Sequence, residues 1–416
     1  MLPPAPPRRF LFLQGPSVAV FTETGARLRE LGHKVWRINF CLGDWLLWHG
    51  PGCINFRGRL EDWPGFIAGF LDREAVTDLV LLGEQRPYHR IAIEAARQRG
   101  VQVAVVDYGY LRPDWVTLER DGMGAESRFP RDPGAILALA EGLPPVDFAP
   151  RYRDSFFHQA LGEVIYHWSS LLPWPFPHYR RFMLHHPLAA HIATVRQLLR
   201  RGRENRRAAA ILEAQRGRPL WLFAMQMETD YSIRAYSDFP DMDAALAATV
   251  RSFARAAPAD AGLLVKVHPL DPGLKNWRRR VARIAAAAGV AERVHYLGGA
   301  LPAEPVIRAC RGVVTVNSTL GIGALAMGCP VHPLGRAIYA VPGLSWLGPL
   351  DDFWRQAPPP EPRLADAFLR GIAACLQVRG VGFAQPGRAA AVEGVTRRLH
   401  LNLLNQPLHE DGTPVP

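Results

Sequence analysis

The sequence predicts an α/β protein of two Rossmann-like, doubly wound domains facing a central cleft. Three observations carry that expectation. At 416 residues the chain exceeds what one core sustains, since single cores stop growing near about 250–300 residues. Short apolar runs alternate with amphipathic stretches in two separate blocks of the chain. The runs are continuously apolar, as strands covered on both faces of a parallel sheet are.

The first block opens with RFLFL (9–13), closed by Gln14-Gly15-Pro16. A helix follows, with apolar residues at Val18, Phe21, Leu28 and Leu31, and Gly32 stops it. HKVWRINF (33–40) reads as the next strand and leads into a loop rich in Gly and Trp. DLVLLG (78–83) is a buried strand, 88–100 a helix ending in Gly100, and VQVAVVD (101–107) another strand. Residues 130–215 differ. Their Pro, Arg, His and aromatic content (SLLPWPFPHYRRF, 170–182) predicts helices with proline breaks, an insertion and linker of the first domain. Alternation resumes with PLWLFAMQM (219–227), a helix near 241–256, GLLVKVHP (262–269) and a helix over 276–289. RVHYLG, a short helix with Ile307, GVVTVNS (312–318), LGIGALAMG and CPVHPLG complete it. Strand–helix–strand repetition of this kind builds doubly wound sheets. The domains read as 1–215, N-terminal, with the helical insertion; 216–380, C-terminal; and 381–416, a tail loose at its Pro-rich tip. Two such domains around a cleft make the architecture called GT-B.

Composition narrows the function classes. Hydrophobic residues are 48% and charged residues 21% of the chain, an ordinary globular balance. Cys41, Cys53, Cys310, Cys329 and Cys375 form no CxxC pair and no zinc-type cluster, which fits a reducing compartment. No secretory leader is visible and no run reaches the ~18 apolar residues of a membrane span, so a cytoplasmic protein is expected. The net charge of +11 suits nucleic acid, anionic lipid or an acidic small molecule or polymer. Part of it sits in RQLLRRGRENRR (196–207), which is either a solvated helix face or a surface resting on anionic membrane or glycan. No nucleic-acid-binding signature accompanies it, so nucleic acid is not an expected partner.

Ligands of open parallel sheets bind beyond the carboxyl ends of the strands, so the loops there hold the candidate chemistry. After the first strand, Gln14 begins a tight turn whose amides suit an anion. After DLVLLG, Glu84, Arg86 and His89 crowd into six residues. After VQVAVVD, Asp107 tops a strand, placed as nucleophile or general base. Gly109 allows close approach, and Arg112 pairs either with Asp107 or with a substrate carboxylate. Thr117 and Glu119 add a second polar pair. In the second block, Lys266 and His268 share one side of a strand end, and Pro269 fixes the turn. Lysine as a point charge and histidine as donor suit a departing phosphate. Asn317, Ser318, Thr319 and Gly321 precede a helix, where hydroxyls and amides either cradle an anion or simply cap the helix. Glu228 or Asp230, after the 219–227 strand, is a candidate for sugar hydroxyls. No G-x-S-x-G, Walker A, G-x-G-x-x-G or H-E-x-x-H pattern occurs, and no metal site is expected.

Taken together, FLQGP (12–16), GHKVWRINF (32–40), GEQRPYH (83–89), DYGYLRPDW (107–115), KVHP (266–269) and NSTLG (317–321) resemble the capsule polysaccharide biosynthesis/export proteins, in particular their β-Kdo transferases. The motifs occur in family order between about residues 10 and 350. The resemblance implies a GT-B-like retaining transferase using CMP-Kdo, without a further cofactor, at the inner face of the cytoplasmic membrane. It implies that the His-Pro and Asn-Ser-Thr segments hold the CMP moiety, and that the first domain supplies the catalytic carboxylate. The implied partners are a nucleotide sugar, a lipid-linked glycan acceptor, the membrane surface and the capsule assembly and export machinery. The family motif acid–acid–Gly reads Asp107-Tyr108-Gly109 here, so either Asp107, Glu84 or Glu119 supplies the carboxylate or the sugar and mechanism differ. The expected catalytic set is Asp107, His268 and Glu84. The donor-binding set is Lys266, His268, Pro269, Asn317, Ser318, Thr319 and Gly321. The substrate-binding set is Gln14, Arg86, His89, Arg112, Glu119 and Glu228. A nucleotide-sugar epimerase and a non-catalytic export or assembly protein on the same fold are the alternatives.

Overall fold

The computed structural model describes residues 2–181, 185–228, 230–409 and 413, with the side chains of residues 231 and 232 left aside. Its elements run in chain order as β1 (Arg9–Phe12), α1 (Val20–Glu30), β2 (Lys34–Asn39), α2 (Leu42–Leu47), β3 (Cys53–Asn55), α3 (Trp63–Arg73), β4 (Asp78–Leu82), α4 (Pro87–Arg97), β5 (Gln102–Tyr108) and β6 (Trp115–Arg120). The helices α5 (Pro133–Leu139), α6 (Phe156–Ser169) and α7 (Pro187–Ala214) follow. Then come β7 (Leu220–Ala224), α8 (Tyr231–Tyr236), α9 (Met242–Ala256), β8 (Gly262–Lys266), α10 (Trp277–Ala287), β9 (Val294–Leu297), α11 (Ala303–Arg308), β10 (Gly312–Thr315), α12 (Leu320–Ala326) and β11 (Val331–Pro333). The chain ends with α13 (Leu350–Gln356), α14 (Pro362–Leu376), β12 (Gln377–Arg379) and α15 (Gly387–His400). The predicted strands of both blocks are present within three residues of their expected limits.

The chain forms two compact units. The first comprises residues 1–129, 142–182 and 370–416, and the second 130–141 and 183–369. These limits revise the sequence expectation. Residues 130–141 and 183–215 belong to the second unit rather than the first, and 370–380 to the first rather than the second. The stretch after 380 is no tail: α15 packs on the first sheet through Val392, Val395 and Leu399. The expected loose tip, 410–416, lies almost wholly outside the described residues.

The first sheet has the order β12-β6-β5-β4-β1-β2-β3, parallel except where β6 runs against β5 and β12 against β6. Alternate residues of its strands feed two cores. Leu11, Leu79, Leu81 and Val103 pack with α3 and α4 on one face. Phe10, Phe12, Val80 and Val106 pack with α1 and α15 on the other. Burial on both faces is why these strands read as unbroken apolar runs. The second sheet is wholly parallel, in the order β11-β10-β7-β8-β9. Trp221, Phe223, Leu263 and Val265 meet α9, α10 and α13 on one face, while α12 lies along β10 and β11.

Both sheets share one plan. The first strand of each is central, the next two are added on one side, and the chain then crosses to the other side. The reversal falls between β1 and β4 in the first sheet and between β7 and β10 in the second. At such a switch point the loops diverge and leave a crevice at the carboxyl ends, where ligands of doubly wound sheets bind.

Candidate functional site

At the switch point of the second sheet, β7 continues into Gln226 and β10 into Asn317. The two side chains lock the crevice edges together: Gln226 Nε2 donates to Asn317 Oδ1 at 2.8 Å, and the Asn317 amide donates to Gln226 Oε1 at 2.9 Å. Lys266 ends β8, the neighbour of β7. It is 5% exposed, burial lowers its pKa, and among the described residues no carboxylate pairs with it. A buried ammonium without a counter-ion is costly unless an anion arrives. His268 lies two residues on. Its Nδ1 accepts the Leu270 amide at 3.1 Å, so in the neutral ring Nε2 carries the proton and is a donor. Pro269 is exposed at the turn.

The Asn-Ser-Thr-Leu-Gly segment has more local duties than the sequence reading gave it. Ser318 Oγ accepts the Leu320 amide at 3.2 Å, and the Ser318 carbonyl accepts Tyr339 OH at 2.8 Å. Thr319 stands at the start of α12 without a side-chain capping bond. Gly321 is required by packing, since a Cβ there would lie 2.5 Å from Tyr339 OH. The helix is only seven residues long. Glu228 is tied to Lys275, which also bonds Asp243 at 2.7 Å, while Arg280 bonds Asp243 at 2.6 Å. Glu228, Asp241 and Asp243 each bring a carboxylate oxygen within 4.8 Å of the others, and these two cations already bond to that group.

In the first unit, Gln14 and Glu84 follow β1 and β4 at the carboxyl edge, and Asp107 is the penultimate residue of β5. Asp107 Oδ1 accepts the Tyr108 amide at 2.7 Å. Its other oxygen lies over the turn after β4, 3.8 Å from where a Cβ on Gly83 would be. Gly83 has φ +65°, a conformation that favours glycine. Arg112 stacks on the Tyr108 ring, 5.5 Å from its centroid, close enough for its charge to act on Asp107. Gly109 is needed where a Cβ would meet the Trp115 carbonyl at 2.4 Å. Asp114, in the same loop, is an interior anchor bonded by Arg379 at 2.7 Å and by the amides of Arg151 and Tyr152.

The reading of Glu119 as a substrate contact is corrected. It is wholly buried, one oxygen taking Tyr110 OH at 2.5 Å and the other Ser127 Oγ. Desolvation pushes its pKa up to about 8, and the Glu84 charge adds to the rise. His89 is also interior. Its Nδ1 donates to the Gly83 carbonyl at 2.8 Å, and burial followed by the Arg86 charge pulls its pKa down to about 3. Its Nε2 is left as a buried acceptor with no partner among the described residues. Gln14 is fully buried too, with Oε1 unpartnered in the same sense.

Gln14 leads to a cluster the sequence reading missed. Asp44, fully buried, collects four donors: Arg37 Nη2 at 3.1 Å, Tyr166 OH at 2.9 Å, Gln14 Nε2 at 3.0 Å and the Phe40 amide at 3.0 Å. Tyr179 OH joins at 3.2 Å from Gln14 Nε2. The charge of Arg86 reaches Tyr166, Tyr179 and His89. The signal available was Arg37, a charged residue in mid-strand between Trp36 and Ile38, with no partner in sight until Asp44 folds back.

The pattern that defines the capsule polysaccharide biosynthesis protein family matches residues 77–383. The chain is 28% identical over 382 residues to the capsule polysaccharide export protein KpsS of Escherichia coli, covering 90% of this chain and 96% of that one. It is 29% identical over 388 residues to the capsule polysaccharide modification protein LipB of Neisseria meningitidis serogroup B, covering 90% and 91%. Among solved structures, the β-Kdo 2,7 transferase KpsC of Thermosulfurimonas dismutans aligns over 95% of this chain and 99% of that chain, at 15% identity and a TM-score of 0.46.

Proposed function

The chain belongs to the capsule polysaccharide biosynthesis protein family, and from that premise we propose that it is a glycosyltransferase moving an acidic sugar, Kdo from CMP-Kdo, onto a lipid-linked glycan acceptor. The observation that carries the reading is Lys266, a buried cation without a carboxylate partner among the described residues, beside the switch point of the second sheet. With the His268 Nε2 proton and the Asn317 and Ser318 side chains, it is suited to the charge that develops on a departing CMP phosphate. As the sugar–phosphate bond breaks, the electron pair leaves with the phosphate oxygen and Lys266 neutralises it. No metal step is invoked for that charge.

The first unit is assigned the carboxylate. Asp107 attacks the anomeric carbon, as a retaining mechanism asks, or takes the proton of the acceptor hydroxyl. Glu84 is the second candidate, one strand away. Arg86 and Arg112 are suited to anionic groups of donor or acceptor, while Gln14 and His89, with no exposed surface, belong to the interior. Tyr108, at the place of the family's second acid, favours a second reading. In it the chain is a non-catalytic partner in export, as the description of the Escherichia coli relative suggests.

One experiment separates the two. The full chain is incubated with CMP-Kdo and a lipid-linked acceptor and products are read by mass spectrometry, with CMP binding followed by calorimetry. Lys266→Met is expected to lose CMP binding at least about tenfold. Asp107→Asn is expected to keep CMP binding and lose transfer. Absence of CMP binding in the natural chain, or full transfer by both variants, overturns the proposal.

A further inference from the structure

The geometry points to a bilayer-docking face on the first unit, formed by α2, α6 and the segment that follows α6. α6 carries its large apolar residues outward. Its inward face is small and polar, with Gly162, Tyr166 and Ser170 four residues apart. A Cβ on Gly162 would lie 2.7 Å from the Ser17 carbonyl oxygen, and one on Gly43 of α2 would lie 2.6 Å from the Tyr166 carbonyl oxygen. The outward face repeats at helical spacing through Phe157, Leu161, Ile165, Trp168 and Leu172, all exposed, Phe157 by 70%. Trp45 and Leu46 of α2 are exposed as well, and Trp174 is 82% exposed. Single apolar residues on a surface need no explanation; a helix whose outer stripe is its most apolar one marks an interaction surface.

Charge selects the occupant. Between residues 155 and 181 the sole carboxylate is Glu163, against Arg181, Arg180, which pairs with Glu61 at 2.7 Å, and the histidines His158, His167 and His178. Glu163 is bonded to Gln159 at 3.0 Å, and its charge acts on Tyr108 rather than lying among the outward residues. An apolar, Trp- and Phe-bearing stripe with basic flanks fits the headgroup region of an anionic bilayer, where aromatic rings settle at the interface. The chain as a whole carries +11. The same helix supplies Tyr166 to the Gln14–Asp44 cluster. A bilayer against the outer stripe is therefore about one helix diameter, roughly 10 Å, from the carboxyl-edge crevice of this sheet. The purpose of the docking rests on the proposed lipid-linked acceptor; its test does not.

The full chain is sedimented with vesicles of phosphatidylglycerol and phosphatidylethanolamine, and separately with phosphatidylcholine, at about 0.15 M salt. Preferential binding to the anionic vesicles is expected. Phe157→Ser/Ile165→Ser/Trp168→Ser is expected to lose at least about tenfold in affinity with unchanged circular dichroism. Ile165→Ser alone, the milder change, is expected to lose several-fold should the triple variant not fold. Arg200→Glu/Arg203→Glu on α7 is expected to bind within about twofold of the natural chain. The inference is overturned if the natural chain ignores anionic vesicles, if the serine variants bind equally well, if the α7 variant alone abolishes binding, or if light scattering shows a dimer that the serine variants dissociate. Transfer to a soluble acceptor is read in parallel. Its failure would count against the enzymatic proposal and leave the vesicle result standing.

Discussion

Replacing Glu119 by glutamine should make the first unit more stable, and increasingly so as pH rises. In the fold the carboxyl titrates near 8 because it is fully desolvated; in the unfolded chain it titrates near 4.5. Between those values the folded state keeps a proton that the unfolded state has released. Stability therefore falls as pH climbs from about 4.5 through 8, and levels off above. At about 1.4 kcal/mol per pH unit, that window spans a ceiling of about 5 kcal/mol. Water reaching an ionised Glu119 would reduce the realised part to about 2–3 kcal/mol. Glutamine mimics the protonated acid: its oxygen accepts Tyr110 OH and its amide donates to Ser127 Oγ, which already accepts the Phe129 amide at 3.1 Å. Urea unfolding of both proteins at pH 5, 7 and 9 reads the difference directly, because other titrating groups cancel. A difference that stays constant across pH would refute the reasoning.

Three further outcomes are expected. His33 is held near pKa 4 by burial and then by the His400 and Arg8 charges, and His89 near 3 by burial and then Arg86. Both stay neutral while the unfolded chain protonates, so the melting temperature should drop as pH falls from about 6.5 towards 4, less steeply in His89→Phe. Gly321→Ala should cost about 1–3 kcal/mol by overpacking, and adding Tyr339→Phe should not restore it, because the ring carbon Cζ is itself 2.6 Å from the new Cβ; thermal melting of the two variants decides. Lys266→Met should melt no lower than the natural chain, and up to about 1 kcal/mol more stably, since it removes an unneutralised buried charge.

Strands buried on both faces announce themselves, so β1, β4, β5, β7, β8 and β10 were legible as apolar runs, and the loops after them could be named. Lys266 and His268 were accordingly placed at a strand end from the sequence. What distant pairing decides was not legible. β12 is three residues long and joins the sheet through Gln377, Val378 and Arg379 opposite Thr117, Val116 and Trp115, more than 250 residues earlier. Glu119 looked like an available carboxylate because nothing local shows that Tyr110 and Ser127 enclose it. α6 was read as part of a linker from the Pro, Arg, His and aromatic content around it, and a sequence period alone does not say that its apolar stripe faces outward rather than into a core.

The placement of β12 and α15 has a consequence for biosynthesis. The second unit is almost contiguous in the chain and can assemble while translation continues. The first begins at the N-terminus yet lacks its outer strand and the helix that seals one face until residue 400 has left the ribosome. Until then Phe10, Phe12 and Val80 lack part of their cover. Newly made chains should depend on protection during that interval, and a premature stop anywhere before α15 should damage the half of the protein that was made first.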